Sequence, residues 1–194
     1  MGFVMDELAQ WVAFRPVCPE MAIGLPTPRP ALRLVMTTGG ETEMRFSKAP
    51  HDDVTQKMAA FTADYLPKIG DLSGFIVCAK SPSCGMERVR LYDENGNRGR
   101  KEGVGLFTAA LLETFPWLPV EEDGRLHDPV LRENFVERVF ALHELNVMRK
   151  NGLTRRALLD FHSRYKLQLL AHHQAGYREI GPFVASLHEW DDLD

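Results

Sequence analysis

The stretch from Gly74 to Tyr92 places the tightest limits on what this chain can fold into. Phe75, Ile76 and Val77 make a short apolar run, the pattern of a strand buried on both faces. The run breaks at Ser81-Pro82-Ser83-Cys84-Gly85. Pro82 removes a donor and fixes φ, Gly85 permits φ > 0, and the serines offer hydroxyls to free backbone groups. A tight polar loop at the carboxyl end of a core strand is where open α/β sheets place their ligands. A thiol there, flanked by two hydroxyls and following Lys80, reads as chemistry, and its plain alternative is a turn around a buried, inert cysteine.

Around that stretch, short apolar runs alternate with amphipathic segments. Val4, Met5, Leu8, Trp11 and Val12 suit a short helix, Arg15 to Cys18 a strand ending in a second cysteine loop, and Ala31 to Met36 another strand. Pro26, Pro28 and Pro30 make the connection between them extended and stiff. Asp52 or Asp53 can cap a helix reaching about Leu66, with Val54, Met58, Phe61 and Tyr65 on one stripe. Val89 to Tyr92 leads into an Asn-Gly turn, Gly103-Val104-Gly105 into a helix, and Trp117 to Val120 reads as a further strand. The alternation predicts an α/β fold, a mostly parallel open sheet flanked by helices, over residues 1–127.

From residue 128 onward the pattern is all-α. Asp128-Pro129 starts a helix to about Arg149. After Asn151-Gly152, Thr154 caps a second helix with Leu158, Phe161, Tyr165 and Leu169 on its apolar stripe and Gly176 at its end. Arg155, His162, Lys166 and His173 fall close to one line on another face, either a solvated face or a site for an anion. The net charge of −4 hides this asymmetry. Arg149, Lys150, Arg155, Arg156, Arg164, Lys166 and Arg178 stand against Asp160 alone, while four of the last six residues are acidic. A basic segment within an acidic chain suggests a local anionic partner.

No window approaches the roughly 18 apolar residues of a membrane span. The amino terminus has no basic n-region, so no signal peptide is expected. Three cysteines, an odd and low count, argue for reduced thiols and a cytoplasmic location. Cys18 and Cys84 both follow apolar runs in proline-containing loops, and two thiolates meeting there can hold a soft metal or an iron–sulfur cluster. Without a Cys-x-x-Cys pair a structural zinc site fits poorly. Cys78 is expected to pack within the strand.

Val17-Cys18-Pro19-Glu20 with Ile23-Gly24-Leu25, Lys80-Ser81-Pro82-Ser83-Cys84-Gly85, Gly103-Val104-Gly105-Leu106-Phe107 and Glu121-Glu122-Asp123-Gly124-Arg125-Leu126 together resemble the thiouracil and thiouridine desulfidase family. The helical remainder, with Phe161-His162, Lys166, His172 and Gly181, resembles the accessory domain often fused to it in enzymes acting on 4-thiouridine of transfer RNA. The resemblance implies a [4Fe-4S] cluster on three cysteines, with Cys18 and Cys84 as two of the ligands. The third lies in an amino-terminal Cys-Leu-Leu-Gly-type motif that this sequence does not contain, and a chain truncated at both ends is expected.

An open iron is a soft Lewis acid and a thiocarbonyl sulfur a soft ligand, so water addition and loss of sulfide need no net redox change. The resemblance and its place beside Cys18 make Glu20 the expected base; Ser81 or Ser83 would orient it or pass a proton, and Lys80 would hold anionic substrate. Arg155, His162 and Lys166 are expected to contact tRNA phosphates, with salt-sensitive affinity. Two alternatives stay open: the same chemistry on a free 2-thiouracil-type base, and a non-catalytic RNA-binding fragment without a complete cluster site.

Overall fold

A computed structural model of the chain describes residues 2–189, Arg98 by its backbone alone; most of the acidic tail, 190–194, lies outside the described residues. The chain forms two compact units, one ending at Val136 and the other beginning at Glu137, a division inside the longest helix.

The first unit runs α1 (Phe3–Asp6), α2 (Pro19–Ala22), β1 (Leu32–Met36), β2 (Thr42–Phe46), α3 (Thr55–Tyr65) and β3 (Phe75–Val77). It continues with β4 (Val89–Asp93), β5 (Arg98–Gly103), α4 (Leu106–Thr114), β6 (Val120–Glu122) and the start of α5 (Pro129–Lys150). An α/β region followed by helices is what the chain builds. The sheet is mixed, however, where a mostly parallel one was expected. Its order is β2-β1-β4-β5, with β1 parallel to β4 but both outer pairings antiparallel, and β3 pairs with β6 in a separate parallel ribbon. The cause is local. Thr37 N–H bonds Glu41 O at 2.8 Å with Gly40 at φ 84°, and the Asn95-Gly96 turn closes with Gly96 at φ 81°. Such short turns can join only antiparallel strands.

The Arg15–Cys18 strand does not form. Cys18 sits with extended backbone as the N-cap of α2, and Pro19 takes the first helical position, where its missing N–H costs nothing. The core centres on Phe107, fully buried on α4, with the rings of Phe75 at 5.8 Å and of Phe61 and Tyr65 at 6.1 Å. Such ring pairs contribute about 0.5–1.5 kcal/mol each beyond burial. They tie β3, α3 and α4 together, and so fix both ends of the loop that follows β3.

In the second unit α5 continues beside α6 (Arg155–His172), and α7 (Gln174–Ala185) follows. Thr154 Oγ1 accepts the Ala157 amide at 3.2 Å, the expected cap. One helix to Gly176 was expected; the chain makes two. It breaks at His173, whose Nδ1 accepts the Gly176 amide at 2.8 Å and caps α7. Glu144 receives the Tyr165 hydroxyl at 3.0 Å and Arg164, and Glu137 receives Gln168 Nε2 at 2.6 Å. Among the described residues no helix is long and apolar enough to cross a membrane.

Candidate active site

The loop after β3 is held from within and from behind. Gly85 N–H bonds Ser81 O at 2.9 Å, and Ser81 Oγ accepts the amides of Ser83 and Cys84 at 3.3 and 3.2 Å. Behind it, the first amides of α4 bond the loop carbonyls: Leu106 to Pro82 at 3.1 Å, Phe107 and Thr108 to Ser83 at 3.0 and 3.3 Å. Thr108 Oγ1 donates to Cys84 O at 2.6 Å. The loop thus satisfies the orphan amides that every helix start exposes. Gly105 is required by the close approach, because a Cβ there would lie 2.5 Å from the Ser83 carbonyl and 2.6 Å from Cys84 N.

Helix α2 carries Cys18 and Glu20 to this loop. Glu20 Oε1 accepts Ser83 Oγ at 2.7 Å, with Ser81 Oγ at 3.4 Å and the two hydroxyls 3.0 Å apart. Ser83 Oγ lies 3.4 Å from Cys84 Sγ. On its other side Glu20 Oε2 accepts Arg29 Nε at 2.6 Å, and Arg29 Nη2 reaches Cys18 Sγ at 3.5 Å. One carboxylate therefore stands a single side chain away from each thiol. Its pair with Arg29 is well sheltered, the side chains 13% and 20% exposed. Burial pushes the Cys84 thiol pKa up, the Ser83 hydroxyl pulls it down, and the charges of Cys78 and Glu20 add to the rise.

The structure brings together Cys18, Glu20, Ser81, Ser83 and Cys84. Lys80, exposed at the root of the loop, has φ 61°, a left-handed conformation uncommon outside glycine. Arg155, His162 and Lys166 lie on α6 in the second unit, the first and last exposed and His162 half-buried. Cys78, expected inside the strand, lies one residue past its end and is exposed; partial burial and the charge of Asp123 push its thiol up. Arg29 is the residue that sequence reasoning missed. Its signal was the Pro26–Pro30 stretch, stiff enough to aim a side chain, with Pro26 O and Thr27 Oγ1 both 3.2 Å from Arg29 Nη1. Among the described residues no three His, Cys, Asp or Glu side chains come close enough to hold one metal ion. Cys18 and Cys84 are chemically suited to a soft iron centre, as two of its donors.

Fold and site define an α/β domain in which a partly buried acid–hydroxyl–guanidinium network links two thiols. Residues 1–123 match the 2-thiouracil desulfurase family, and the chain belongs to that family. It is also similar to the uncharacterized protein YbgA of Escherichia coli (strain K12), 63% identical over 57 residues, which is 29% of this chain and 34% of that protein. The match thus spans about a third of that relative's length. No solved structure matches the chain.

Proposed function

We propose that this chain removes sulfur from a thiolated uracil without net redox change, with 4-thiouridine in tRNA as substrate and a [4Fe-4S] cluster as cofactor. Water supplies the oxygen that replaces sulfur, and sulfide leaves. The observation that carries the proposal is Glu20, bonded to Ser83 beside one thiol and to Arg29 beside the other. Cys18 and Cys84 would hold the cluster. When bound, it supplies an open iron, a soft Lewis acid for the thiocarbonyl sulfur.

Glu20 Oε1 accepts the proton of the attacking water. Arg29 holds Oε2, so the proton goes to Oε1, the oxygen that faces the serine hydroxyls. The Ser83–Ser81 hydroxyl pair, 3.0 Å apart, passes that proton toward the departing sulfur. A loop bonded on both sides keeps these groups from drifting, and orientation of this kind takes several kcal/mol off a reaction barrier. Lys80, Arg155, His162 and Lys166 would meet RNA phosphates, a role favoured by the basic excess from Arg149 to Arg178. Three free cysteines suit a reducing cytoplasm.

The test is anaerobic reconstitution of the full chain, an iron and sulfide count, then sulfide release from 4-thiouridine tRNA and from free 2-thiouracil over a salt series. Expected are cluster uptake lost in Cys18→Ser and Cys84→Ser, and tRNA turnover that weakens as salt rises. No uptake would overturn the cofactor and leave a non-catalytic fragment. Turnover of the free base alone, with no salt-dependent tRNA binding, would overturn the RNA substrate.

A further inference from the structure

Cys78 stands where packing does not explain it. It is the first residue after β3, exposed, at the root of the loop that carries Ser83 and Cys84. Free cysteines are among the residues most often buried, so an exposed one beside a working loop asks for a reason. Its backbone is pinned from both sides by Asp123, which follows β6. The Asp123 N–H donates to Val77 O at 3.0 Å, and its Oδ1 accepts the Ala79 amide at 3.4 Å. A fixed Cα with a free side chain is how a donor is held ready, since less entropy is lost when it meets its ligand.

The loop returns to its own root. A Cβ on Gly85 would lie 3.1 Å from Lys80 N and 3.0 Å from Ser81 O, so the residues around Cys84 are folded back toward the strand end that Cys78 follows. The charge of Cys78 reaches Cys84, and the charges of Cys18 and Glu20 reach Cys78. Screening removes such coupling between accessible groups beyond about 10 Å, so the three sulfurs share one neighbourhood around Glu20. They do not meet at a single point: among the described residues no three such side chains can hold one metal ion. A polynuclear centre asks for no such meeting, because its cysteines bind different irons.

We propose that Cys78 is the third thiolate donor to the iron–sulfur centre in this chain, beside Cys18 and Cys84. The family resemblance puts the third cysteine in an amino-terminal motif that this sequence does not contain, so this donor is read from the chain's own geometry. Thiolate sulfur is the soft donor such a centre takes, and loading releases a proton from each thiol that binds. Ser83 is buried while Cys78 is exposed, which makes the Cys78 side the edge of the site that faces solvent. The inference rests on the cluster proposed above and names the sulfur that completes its donors.

The test is anaerobic reconstitution of the full chain and of Cys78→Ser with iron and sulfide, read by visible absorption and by an iron count after desalting. Wild type is expected to keep about four irons per chain and the variant about tenfold less. An exposed side chain changed by one atom should leave the melting temperature of the metal-free chain where it was, which separates lost iron from lost folding. A second measurement needs no variant. Iodoacetamide labelling, read by mass spectrometry, should modify Cys78 in the metal-free chain and about tenfold more slowly in the loaded one. A variant that keeps the wild-type iron content, or a loaded chain whose Cys78 labels as fast as without metal, would overturn Cys78 as a donor and leave the proposed cofactor standing. No iron uptake by wild type would overturn the cofactor itself, and this inference with it.

Discussion

Gly105→Ala is the sharpest probe of how the site is built. The backbone at Gly105, φ −62° and ψ 140°, suits any residue, so the effect of an added methyl is wholly steric. That methyl would stand 2.5 Å from Ser83 C and O and 2.6 Å from Cys84 N, all of them backbone atoms that no rotamer change can move. Restoring a contact of ~3.5 Å requires the loop to retreat by about 1 Å. Overpacking of this kind costs about 1–3 kcal/mol. At about 2–4 °C per kcal/mol for a chain of this size, the melting temperature falls by about 2–12 °C. The retreat also pulls Ser83 Oγ away from Glu20, now 2.7 Å distant, and a 1 Å misplacement can cost ~100-fold in rate. Calorimetry of the metal-free chain reads the first effect, and sulfide release from the reconstituted chain the second. Gly124→Ala is the control, since its φ of −67° is ordinary and a Cβ there meets nothing within 4 Å; it should stabilise by about 0.4–1 kcal/mol. A Gly105→Ala chain that melts with wild type and turns over at the wild-type rate would refute the account of the loop as clamped against α4.

Glu20→Gln keeps the shape but leaves Arg29 without its counter-ion, and denaturant titration should show a loss of about 1.5–3 kcal/mol while sulfide release drops by about 10²–10⁴-fold. Because burial raises the Cys84 pKa above its ordinary 9.0, the folded state holds that proton more tightly than the unfolded chain. This contribution is complete below about pH 9 and lost as pH rises through the folded value, so metal-free stability should sag at alkaline pH, and less so in Cys84→Ser. The same shift predicts that Cys84 alkylates more slowly at pH 8 than an exposed thiol, by mass-spectrometric timing. In the second unit, Glu144→Ala removes the acceptor of Tyr165 and Arg164 and should cost about 1 kcal/mol, discounted because Arg164 is 60% exposed; unfolding curves of the full chain would show it.

The parts of this molecule legible in the sequence are those governed by neighbours along the chain. Ser81-Pro82-Ser83-Cys84-Gly85 announces a tight turn because proline, glycine and hydroxyls act within a few bonds, and the caps at Asp128 and Thr154 follow the same short-range chemistry. The cap position of α3 falls instead on Val54, and Asp53, one residue earlier, accepts the Thr55 amide. What was missed depends on partners that the sequence does not name. Strand β2 escaped notice because Glu43 and Arg45 give it a polar face, and they pair with each other across two residues. Glu121 and Glu122 look like a polar turn, yet they form β6 and are buried, Glu121 answered by Arg125 at 2.7 Å. His173 joined the basic line by spacing, although the structure spends its Nδ1 on an N-cap. The strand assigned to Arg15–Cys18 fails because an apolar residue beside a cysteine also suits a helix entry, and Pro19 settles the choice.

Arg29 shows why such a site needs more than its obvious residues. A carboxylate placed between two thiols, all of them at least partly shielded from water, gathers groups whose charged forms repel one another. Burial, with the charges of Cys78 and Glu20, holds Cys84 on its proton, which is the wrong state for a metal ligand. A single guanidinium, bonded to the carboxylate through Nε and to one sulfur through Nη2, offsets the repulsion without competing as a proton donor, since arginine stays charged throughout the working range. Lysine has one compact charge and no fork, and could not reach both partners in a fixed geometry. Pro28 and Pro30 flank Arg29 and limit the loop's freedom before folding, so less entropy is lost in aiming it. The acid network between the thiols is therefore a product of a proline-stiffened turn, and the chemistry proposed for Glu20 depends on that turn as much as on the cysteine loops it faces.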